Sequence, residues 1–231
     1  MYQSPFKKWL YRMDYKYGRH AIQNLMLVIT VGMIIVILGG IINPGIENYF
    51  TLYRPAIFTG EIWRLVTFIF VPIESSNLIF TLIGIYFYYF IGSTLENTWG
   101  TFKFNIYYLC GVIGLIVSAL ITGYADNFYL NMSLFFAFAA LYPENKVLLF
   151  YIIPIKIKWL GMLNAILFLF NLIFGSIQTK ASIITVLVVF LLFFWSDITS
   201  VFKNMFKYNK TRSNFKKNYK PNGDNTINFK K

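Results

Sequence analysis

Ser133 is the residue whose type and position suggest a catalytic nucleophile. It stands near the beginning of an apolar run of seventeen uncharged residues, 127–143. A serine hydroxyl is a weak nucleophile at neutral pH, so it needs a base within hydrogen-bond reach. The only histidine, His20, precedes the first long apolar run, and Lys180 is in principle an alternative base. The role of Ser133 therefore depends on the elements that position it.

Other kinds of reactive site find no support in the sequence. One histidine, one cysteine (Cys110) and no paired carboxylates leave no ligand set for a metal. No phosphate-binding loop or dinucleotide fingerprint is present, so we expect no cofactor. The net charge of +12 could indicate nucleic acid, but the cations flank apolar runs. Anionic lipid headgroups are the better counter-charge, and no nucleic-acid partner is expected.

The composition predicts a membrane protein. Of the 231 residues, 57% are hydrophobic and only 13% are charged, which is about half the usual charged fraction of a soluble domain. About 20 apolar residues cross the roughly 30 Å hydrocarbon layer as a helix. The uncharged runs predict an all-α bundle of six transmembrane helices, with spans one to six in Leu25–Ile42, 75–95, 104–125, 127–143, 159–179 and 181–196.

The distribution of positive charge predicts the orientation of the spans. Of 21 Lys and Arg residues, 18 lie on one side: five before span one, four in two loops and nine after span six. The positive-inside rule then places both termini in the cytoplasm, and we expect a bacterial plasma membrane. We divide the chain into a basic N-terminal segment (1–20), a six-helix domain (21–202) and a basic, disordered tail (203–231).

Two loops are more apolar than ordinary connections. The outer loop, residues 43–74, is half apolar, and we expect it to lie in the membrane interface as broken amphipathic helices. The loop on the basic side, residues 144–158, has a similar apolar stretch bounded by lysines. We expect the same interfacial arrangement there.

Two short strings stand out in the connecting segments. In the outer loop, Trp63 and Arg64 could brace the loop, with the guanidinium bonded to carbonyls or a carboxylate. The competing interpretation is an interfacial tryptophan beside an arginine that binds lipid phosphate. After span two, Glu96 is followed four residues later by Gly100, a pattern typical of a tight turn with an internal hydrogen-bond anchor.

Polar and small residues within the spans have structural interpretations. Asn164 and Asn171 are seven residues apart and share one face of span five. Amides in such positions cross-link helices more often than they bind substrates. Gly84 and Gly92 in span two and Gly111 in span three predict close helix packing.

The order of these features resembles the rhomboid superfamily over residues 20–200. The shared features are six spans, a long outer loop with G-x-x-W-R-x-x-T, and E-x-x-x-G after span two. Residues 141–143, Lys156, Lys158 and Trp159 are also similar to derlin-type and other non-protease members. The matching positions are Gly60, Trp63, Arg64, Thr67, Glu96 and Gly100.

The resemblance implies a rhomboid-like six-helix bundle and, in active members, an intramembrane serine protease. Its serine begins span four within G-x-S-G, and its histidine lies in span six. Here Ser133 is followed by Leu134, both glycines are absent, and span six has no histidine. His20 is expected on the other side of the membrane from Ser133, too far to form a dyad. Asn77 is out of register for the span-two residues that stabilise the oxyanion.

We therefore expect a catalytically inactive rhomboid-like pseudoprotease. It would bind transmembrane segments of client proteins within the bilayer and affect their stability, trafficking or assembly without peptide-bond hydrolysis. Anionic lipid headgroups at the basic tails are the other expected partners. Two alternatives stay open: a serine protease with a non-standard base at Ser133, and an accessory subunit of a membrane complex or transporter.

Overall fold

The computed structural model describes residues 5–72, 77–149 and 153–194. The predicted tail at 203–231 and the last two residues of span six lie outside these ranges. The described residues up to Phe193 belong to one compact unit, and Phe194 is the only described residue of the second.

The described chain is mostly helical, which confirms an all-α integral membrane protein. Five helices are long and apolar enough to cross a bilayer, and a sixth, in the place of span four, is a shorter apolar helix. Spans one to six correspond to α2, α5, α6, α7, α8 and α9. The helices are α1 (Pro5–Tyr17), α2 (Leu25–Ile42), α3 (Arg54–Phe58), α4 (Arg64–Thr67), α5 (Leu78–Trp99), α6 (Thr101–Thr122), α7 (Phe128–Leu141), α8 (Ile157–Phe174) and α9 (Ile177–Phe194), with 3-10 turns at Gly18–His20, Ile46–Tyr49 and Phe68–Phe70.

Asparagine and glycine set the ends of the long helices. α2 begins after Asn24, whose φ is 54°, and ends before the Asn43-Pro44-Gly45 stop that the sequence predicts. Only Gly100 separates α5 from α6, with φ of 87° and ψ of 148°. Residues other than glycine rarely adopt this backbone conformation. A single residue therefore turns the chain between two spans.

α7 is the central helix of the bundle. It contacts α5, α6 and α8, and eight of its 14 residues are buried. In the apolar windows of the five long spans, only 22–39% of residues are buried. At about 1.5 Å per residue, α7 is about 21 Å long, shorter than the roughly 30 Å hydrocarbon layer.

Glycines allow the other helices to approach closely. A Cβ added at Gly92 of α5 would clash with Met26 of α2, and one at Gly111 of α6 would clash with Leu130 of α7. These two positions are packing seams, as predicted. Gly84 has open space where its Cβ would lie, so the prediction was wrong there.

The outer loop consists of short helices, in agreement with the prediction. Two 3-10 turns, α3 and α4 follow one another between α2 and α5. The loop also contains strand β1 (Leu52–Tyr53), which pairs antiparallel with β2 (Tyr124–Ala125) in the connection from α6 to α7. This pairing ties the outer loop to the central helix.

Two expectations about connections were wrong. The loop at 144–158 contains strands β3 (Lys146–Leu149) and β4 (Ile153–Lys156), which pair antiparallel, rather than interfacial helices. The β-branched residues Val147 and Ile155 favour an extended backbone, and Pro154 disfavours a helix. Lys180, which we placed before span six, lies within α9, because the connection from α8 is only two residues long.

Candidate functional site

Ser133 lies inside the bundle and makes two hydrogen bonds. Its Oγ donates to the carbonyl of Leu130 at 2.6 Å and accepts from the hydroxyl of Tyr107 at 2.8 Å. Ser133 is 1% exposed, and Tyr107 is fully buried. A serine hydroxyl has one proton to donate. In this geometry that proton is directed at a backbone carbonyl, and no base receives it.

The depth of Ser133 differs from our expectation. Tyr107 lies six residues, or about 9 Å, from the beginning of α6 at the basic end of the bundle. Side chains on a helix also lean towards its N-terminus. Ser133 therefore lies nearer to the basic end than the outer position that we predicted.

His20 and Ser133 are nevertheless kept apart. His20 lines a groove together with Tyr108 of α6, whereas Ser133 meets α6 through Tyr107. Neighbouring residues on a helix point about 100° apart, so His20 and Ser133 lie against different faces of α6.

Asn131 is a buried polar residue that the sequence interpretation did not single out. It is fully buried, and within the described part of the chain neither its Oδ1 nor its Nδ2 has a hydrogen-bond partner. Phe135 and Phe138, one and two turns further on, contact Phe87 and Phe90 of α5. Helical periodicity therefore places Asn131 on the side of α7 that faces α5. The sequence could have identified Asn131, because it is an amide within an apolar span.

Arg64 braces the outer loop, as one of our two interpretations proposed. It is 6% exposed, and its Nη1 donates to the carbonyls of Asn48 at 2.5 Å and Thr51 at 3.0 Å. Its Nε donates to Glu61 Oε2 at 2.7 Å, and Nη2 forms an ion pair with the same oxygen. The guanidinium is thus occupied by the loop itself, which disfavours the lipid-phosphate interpretation.

The neighbours of Arg64 complete this brace. The indole Nε1 of Trp63 donates to the carbonyl of Tyr49 at 3.2 Å, and Thr67 Oγ1 donates to the carbonyl of Trp63 at 3.1 Å. Gly60 has a φ of 110°, where other residues are strained. The first string of the sequence therefore folds as one hydrogen-bonded unit.

Glu96 anchors the beginning of α2. Its Oε1 accepts from the backbone N–H of Asn24 at 2.9 Å, and its side chain is buried. A carboxylate at this point also interacts favourably with the positive end of the α2 dipole. The predicted anchor is present, but it joins two spans and does not merely close the turn at Gly100.

Three asparagines hold backbone groups between or within elements. Asn164 Nδ2 donates to the carbonyl of Met132 at 3.2 Å and so cross-links α8 to α7, as predicted. Asn171 instead donates to Leu167 of its own helix, contrary to the prediction. Asn127, which we did not single out, places its Nδ2 within 3.2 Å of three carbonyls at the end of the outer loop, those of Phe68, Ile69 and Val71.

Outside the spans, two carboxylates have shifted pKa values. Hydrogen bonds from Lys156 and Lys158, at 2.7 and 2.6 Å, lower the pKa of the exposed Glu144 to about 2. Burial raises the pKa of Asp126, and a hydrogen bond from the N–H of Phe128 partly opposes that shift. Within the described ranges, no three His, Cys, Asp or Glu side chains are grouped to hold a metal ion.

Comparison with known proteins identifies a family. The model of a family described as "eukaryotic integral membrane protein (DUF1751)" matches residues 23–196. Neither the curated proteins nor the solved structures gave a match. The eukaryotic description contradicts our expectation of a bacterial plasma membrane, which hydropathy and charge could not test because they report on any bilayer. Since the match covers more than half of its length, this chain belongs to the DUF1751 family of eukaryotic integral membrane proteins.

Proposed function

We propose that this protein is a rhomboid-like pseudoprotease that binds transmembrane segments of other membrane proteins and affects their stability, trafficking or assembly. The observation that carries the proposal is the contrast between the scaffold motifs and the catalytic motif. The positions that build the scaffold are engaged in hydrogen bonds, whereas the hydroxyl at the catalytic position is bonded to a backbone carbonyl.

The scaffold positions support the first half of this contrast. Arg64 and Trp63 hold the segments of the outer loop together through five hydrogen bonds or ion pairs at 3.2 Å or less. Glu96 joins α5 to the beginning of α2. These are the residues through which the chain resembles the rhomboid superfamily, and each has a structural partner that does not depend on catalysis.

Ser133 supports the second half. Its proton is directed at Leu130, and Tyr107 occupies an acceptor site on its oxygen. General-base catalysis requires the opposite arrangement, in which the hydroxyl donates to the base. A binding function has no need of such a base.

The faces of α5 and α8 are the surfaces that we assign to clients. Both helices pack on the central α7. Ile83 of α5 and Ile166 of α8 are 54% and 60% exposed, and each lies among other exposed apolar residues.

Site-specific photo-crosslinking in cells tests the proposal. A photoreactive amino acid at Ile83 or Ile166 should capture a defined set of membrane proteins. Ile35 of α2 and Ile121 of α6 are 63% and 72% exposed and serve as matched controls. A client must also change in abundance or location when this protein is deleted. Equal capture at all four positions, or capture without such a change, contradicts client binding.

Serine-hydrolase labelling separates this function from proteolysis. We expect a fluorophosphonate probe to give no more labelling of the native protein than of a Ser133→Ala variant. Labelling that depends on Ser133 would establish an active serine and would replace the proposal with a protease. The same labelling on a Tyr107→Phe variant shows whether the tyrosine holds the serine inactive.

A further inference from the structure

The β3–β4 hairpin has apolar residues on both of its faces. Val147 and Ile155 are paired across the strands, and Pro154, the neighbour of Ile155 in β4, lies on the opposite face. Pro154 is exposed, and Val147 and Ile155 are partly exposed. An antiparallel pair with one face in water alternates apolar and polar residues, whereas residues 147–155 contain no charged residue. Neither face is therefore suited to water.

The hairpin also has open strand edges. Its sheet consists of two strands in the described chain, so each strand pairs on one side only. Its main contacts outside the pair are with α8, which begins directly after β4. A two-stranded hairpin is at best marginally stable in water, and unpaired backbone edges do not occur in the hydrocarbon core. The interfacial region of a bilayer offers both the apolar surroundings and the hydrogen-bonding groups that this hairpin needs.

The base of the hairpin lies where the chain passes from α7 to α8. The N–H of Ile157 donates to the carbonyl of Asn145 at 2.8 Å, and that of Lys158 donates to the carbonyl of Pro143 at 3.2 Å. Trp159, in the first turn of α8, is 57% exposed. Tryptophan beside lysine is typical of the membrane–water interface. Two spans thus hold the hairpin beside the leaflet on the basic side of the bundle.

The charges at the base of the hairpin favour an anionic surface. Lys146 and Lys156 are directly opposite in the register, and like charges in such positions repel. Glu144 pairs with Lys156 at 2.7 Å and with Lys158 at 2.6 Å, whereas the exposed Lys146 has no ion pair within the described ranges. Three lysines and one carboxylate leave a surplus of positive charge, which anionic lipid headgroups can balance.

Two other described carboxylates on the basic side do not balance this charge. Asp14 lies in α1, between Arg12 and Lys16 in the sequence. Glu96 is 6% exposed and accepts from the backbone N–H of Asn24. The surplus at the hairpin therefore stays available to a partner.

We propose that the β3–β4 hairpin docks on the anionic surface of the leaflet on the basic side of the bundle. Lys146, Lys156 and Lys158 contact lipid phosphates or carboxylates. Val147 and Ile155 lie at the boundary between headgroups and acyl chains, and the strand edges bond to headgroups and interfacial water. The hairpin then anchors the connection between α7 and α8 through lipids. This inference goes beyond client binding and does not depend on it.

Hydrogen exchange of the full-length protein in nanodiscs tests the docking. Each disc holds one copy of the protein, in phosphatidylcholine alone or in a mixture with phosphatidylserine. We expect the amides of β3 and β4 to exchange at least tenfold more slowly in the mixture, because docking protects the strand pair. Equal exchange in the two lipids overturns the proposal. Protection that appears only with two copies in one disc would make the hairpin an interface between copies and would also overturn it.

Lys146 variants separate charge from hairpin stability. Lys146→Gln removes one positive charge and leaves the bonds from Lys156 and Lys158 to Glu144 in place. It should reduce the difference between the two lipids about fivefold, the effect of one lysine at an anionic surface, and Lys146→Arg should retain the difference. Lys180→Gln in α9 is the matched control and should leave the hairpin unchanged. Equal effects of Lys146→Gln and Lys180→Gln contradict a docking site at the hairpin.

A fluorescent label at position 147 measures the depth of the hairpin. Val147→Cys is combined with Cys110→Ala and labelled with an environment-sensitive dye. In the mixed-lipid discs we expect quenching by a nitroxide near the headgroup to exceed quenching by a nitroxide at the end of the acyl chain. Emission typical of water, with no quenching by either lipid, would show that the hairpin does not touch the membrane and would overturn the proposal. Stronger quenching from the chain end would contradict the interfacial depth.

Discussion

The hydroxyl of Tyr107 donates a 2.8 Å hydrogen bond to the Oγ of Ser133, and this bond joins α6 to the central helix α7. The Ser133 hydroxyl in turn donates a hydrogen bond to the backbone carbonyl of Leu130, one turn earlier in α7. Ser133 thus serves as a link between two helices. The energy of that link and of the scaffold motifs can be measured.

The Tyr107–Ser133 bond should show a coupling energy in a double-mutant cycle. Tyr107→Phe and Ser133→Ala each remove one partner, and the double variant corrects for their other effects. Hydrogen bonds between membrane helices average about 0.6 kcal/mol and reach about 1.7 kcal/mol. We expect a value in that range from reversible unfolding in detergent. Additive effects of the two substitutions would show that the bond contributes nothing to stability.

Arg64 should be the most important polar residue of the outer loop. Arg64→Ala leaves two carbonyls and the Glu61 carboxylate without their donor, and we expect a loss of about 3 kcal/mol in unfolding free energy. Arg64→Lys should restore only part of this, because an ammonium cannot reach all three acceptors in the fixed geometry of a guanidinium.

Arg54 provides the control for Arg64. It is exposed, and its Nη1 donates to the carbonyl of Leu120 at 3.2 Å. Its removal should cost about 1 kcal/mol or less. If Arg54→Ala and Arg64→Ala have the same effect, the buried brace is not what stabilises the loop.

Glu96 should act through an acceptor oxygen as well as through its charge. Glu96→Gln retains an oxygen for the N–H of Asn24, and we expect a loss below about 1 kcal/mol from the weaker interaction with the helix dipole. Glu96→Ala removes the acceptor from a buried N–H and should cost about 1–3 kcal/mol more. Hydrogen exchange at the first turn of α2 measures the local effect. Faster exchange in the Gln variant than in the Ala variant would contradict this assignment.

The sequence predicted most of the spans because bilayer thickness and the need to satisfy backbone groups leave few alternatives. The bounds of α2 followed from its apolar run and from Asn43-Pro44-Gly45. Where the choice between helix and strand rested on a short apolar stretch, as in β3 and β4, the prediction failed. Periodicity alone cannot distinguish the two in such a stretch.

Side-chain partners at the candidate site were predictable only in part. The sequence indicated that Arg64 could bind carbonyls and that Glu96 could anchor a turn, but the partners lie 16 and 72 residues away. The link between Tyr107 and Ser133 depends on the register of α6 against α7, which Gly111 and Leu130 set. No local pattern encodes that register, so the depth of Ser133 was predicted wrongly.

Asp126 should make stability depend on pH in a known direction. Its folded-state pKa lies above the ordinary value of 3.8, so the folded protein binds more protons than the unfolded chain in the range just above that value. Stability therefore falls as pH rises through this range and stays reduced at neutral pH. Asp126→Asn keeps an oxygen for the N–H of Phe128 and should be more stable than the native protein at pH 7. The difference should disappear below about pH 4.

Glu144 should make stability depend on pH in the opposite direction. Its pKa is lowered to about 2, so its contribution is present at neutral pH and is lost as pH falls from about 4.5 towards about 2. Glu144→Gln should therefore be less stable than the native protein at pH 7, by a small amount because the pair is exposed. The same sign of change for both variants would show that the local environments do not control these pKa values.

Asn131 should be a position where a substitution stabilises the fold. Its amide is fully buried, and neither polar atom has a partner in the described chain. Leucine has the same number of side-chain heavy atoms and no polar atoms, so Asn131→Leu should raise the unfolding free energy by about 1–3 kcal/mol. Asn164→Leu is the matched control, because its amide donates to Met132 across the interface of α7 and α8 and its removal should destabilise. Opposite signs for two asparagine-to-leucine changes in adjacent helices would show that partnering, and not burial, decides the energetic effect of an intramembrane amide. If Asn131→Leu destabilises as much as Asn164→Leu, the Asn131 amide has a partner in the membrane after all.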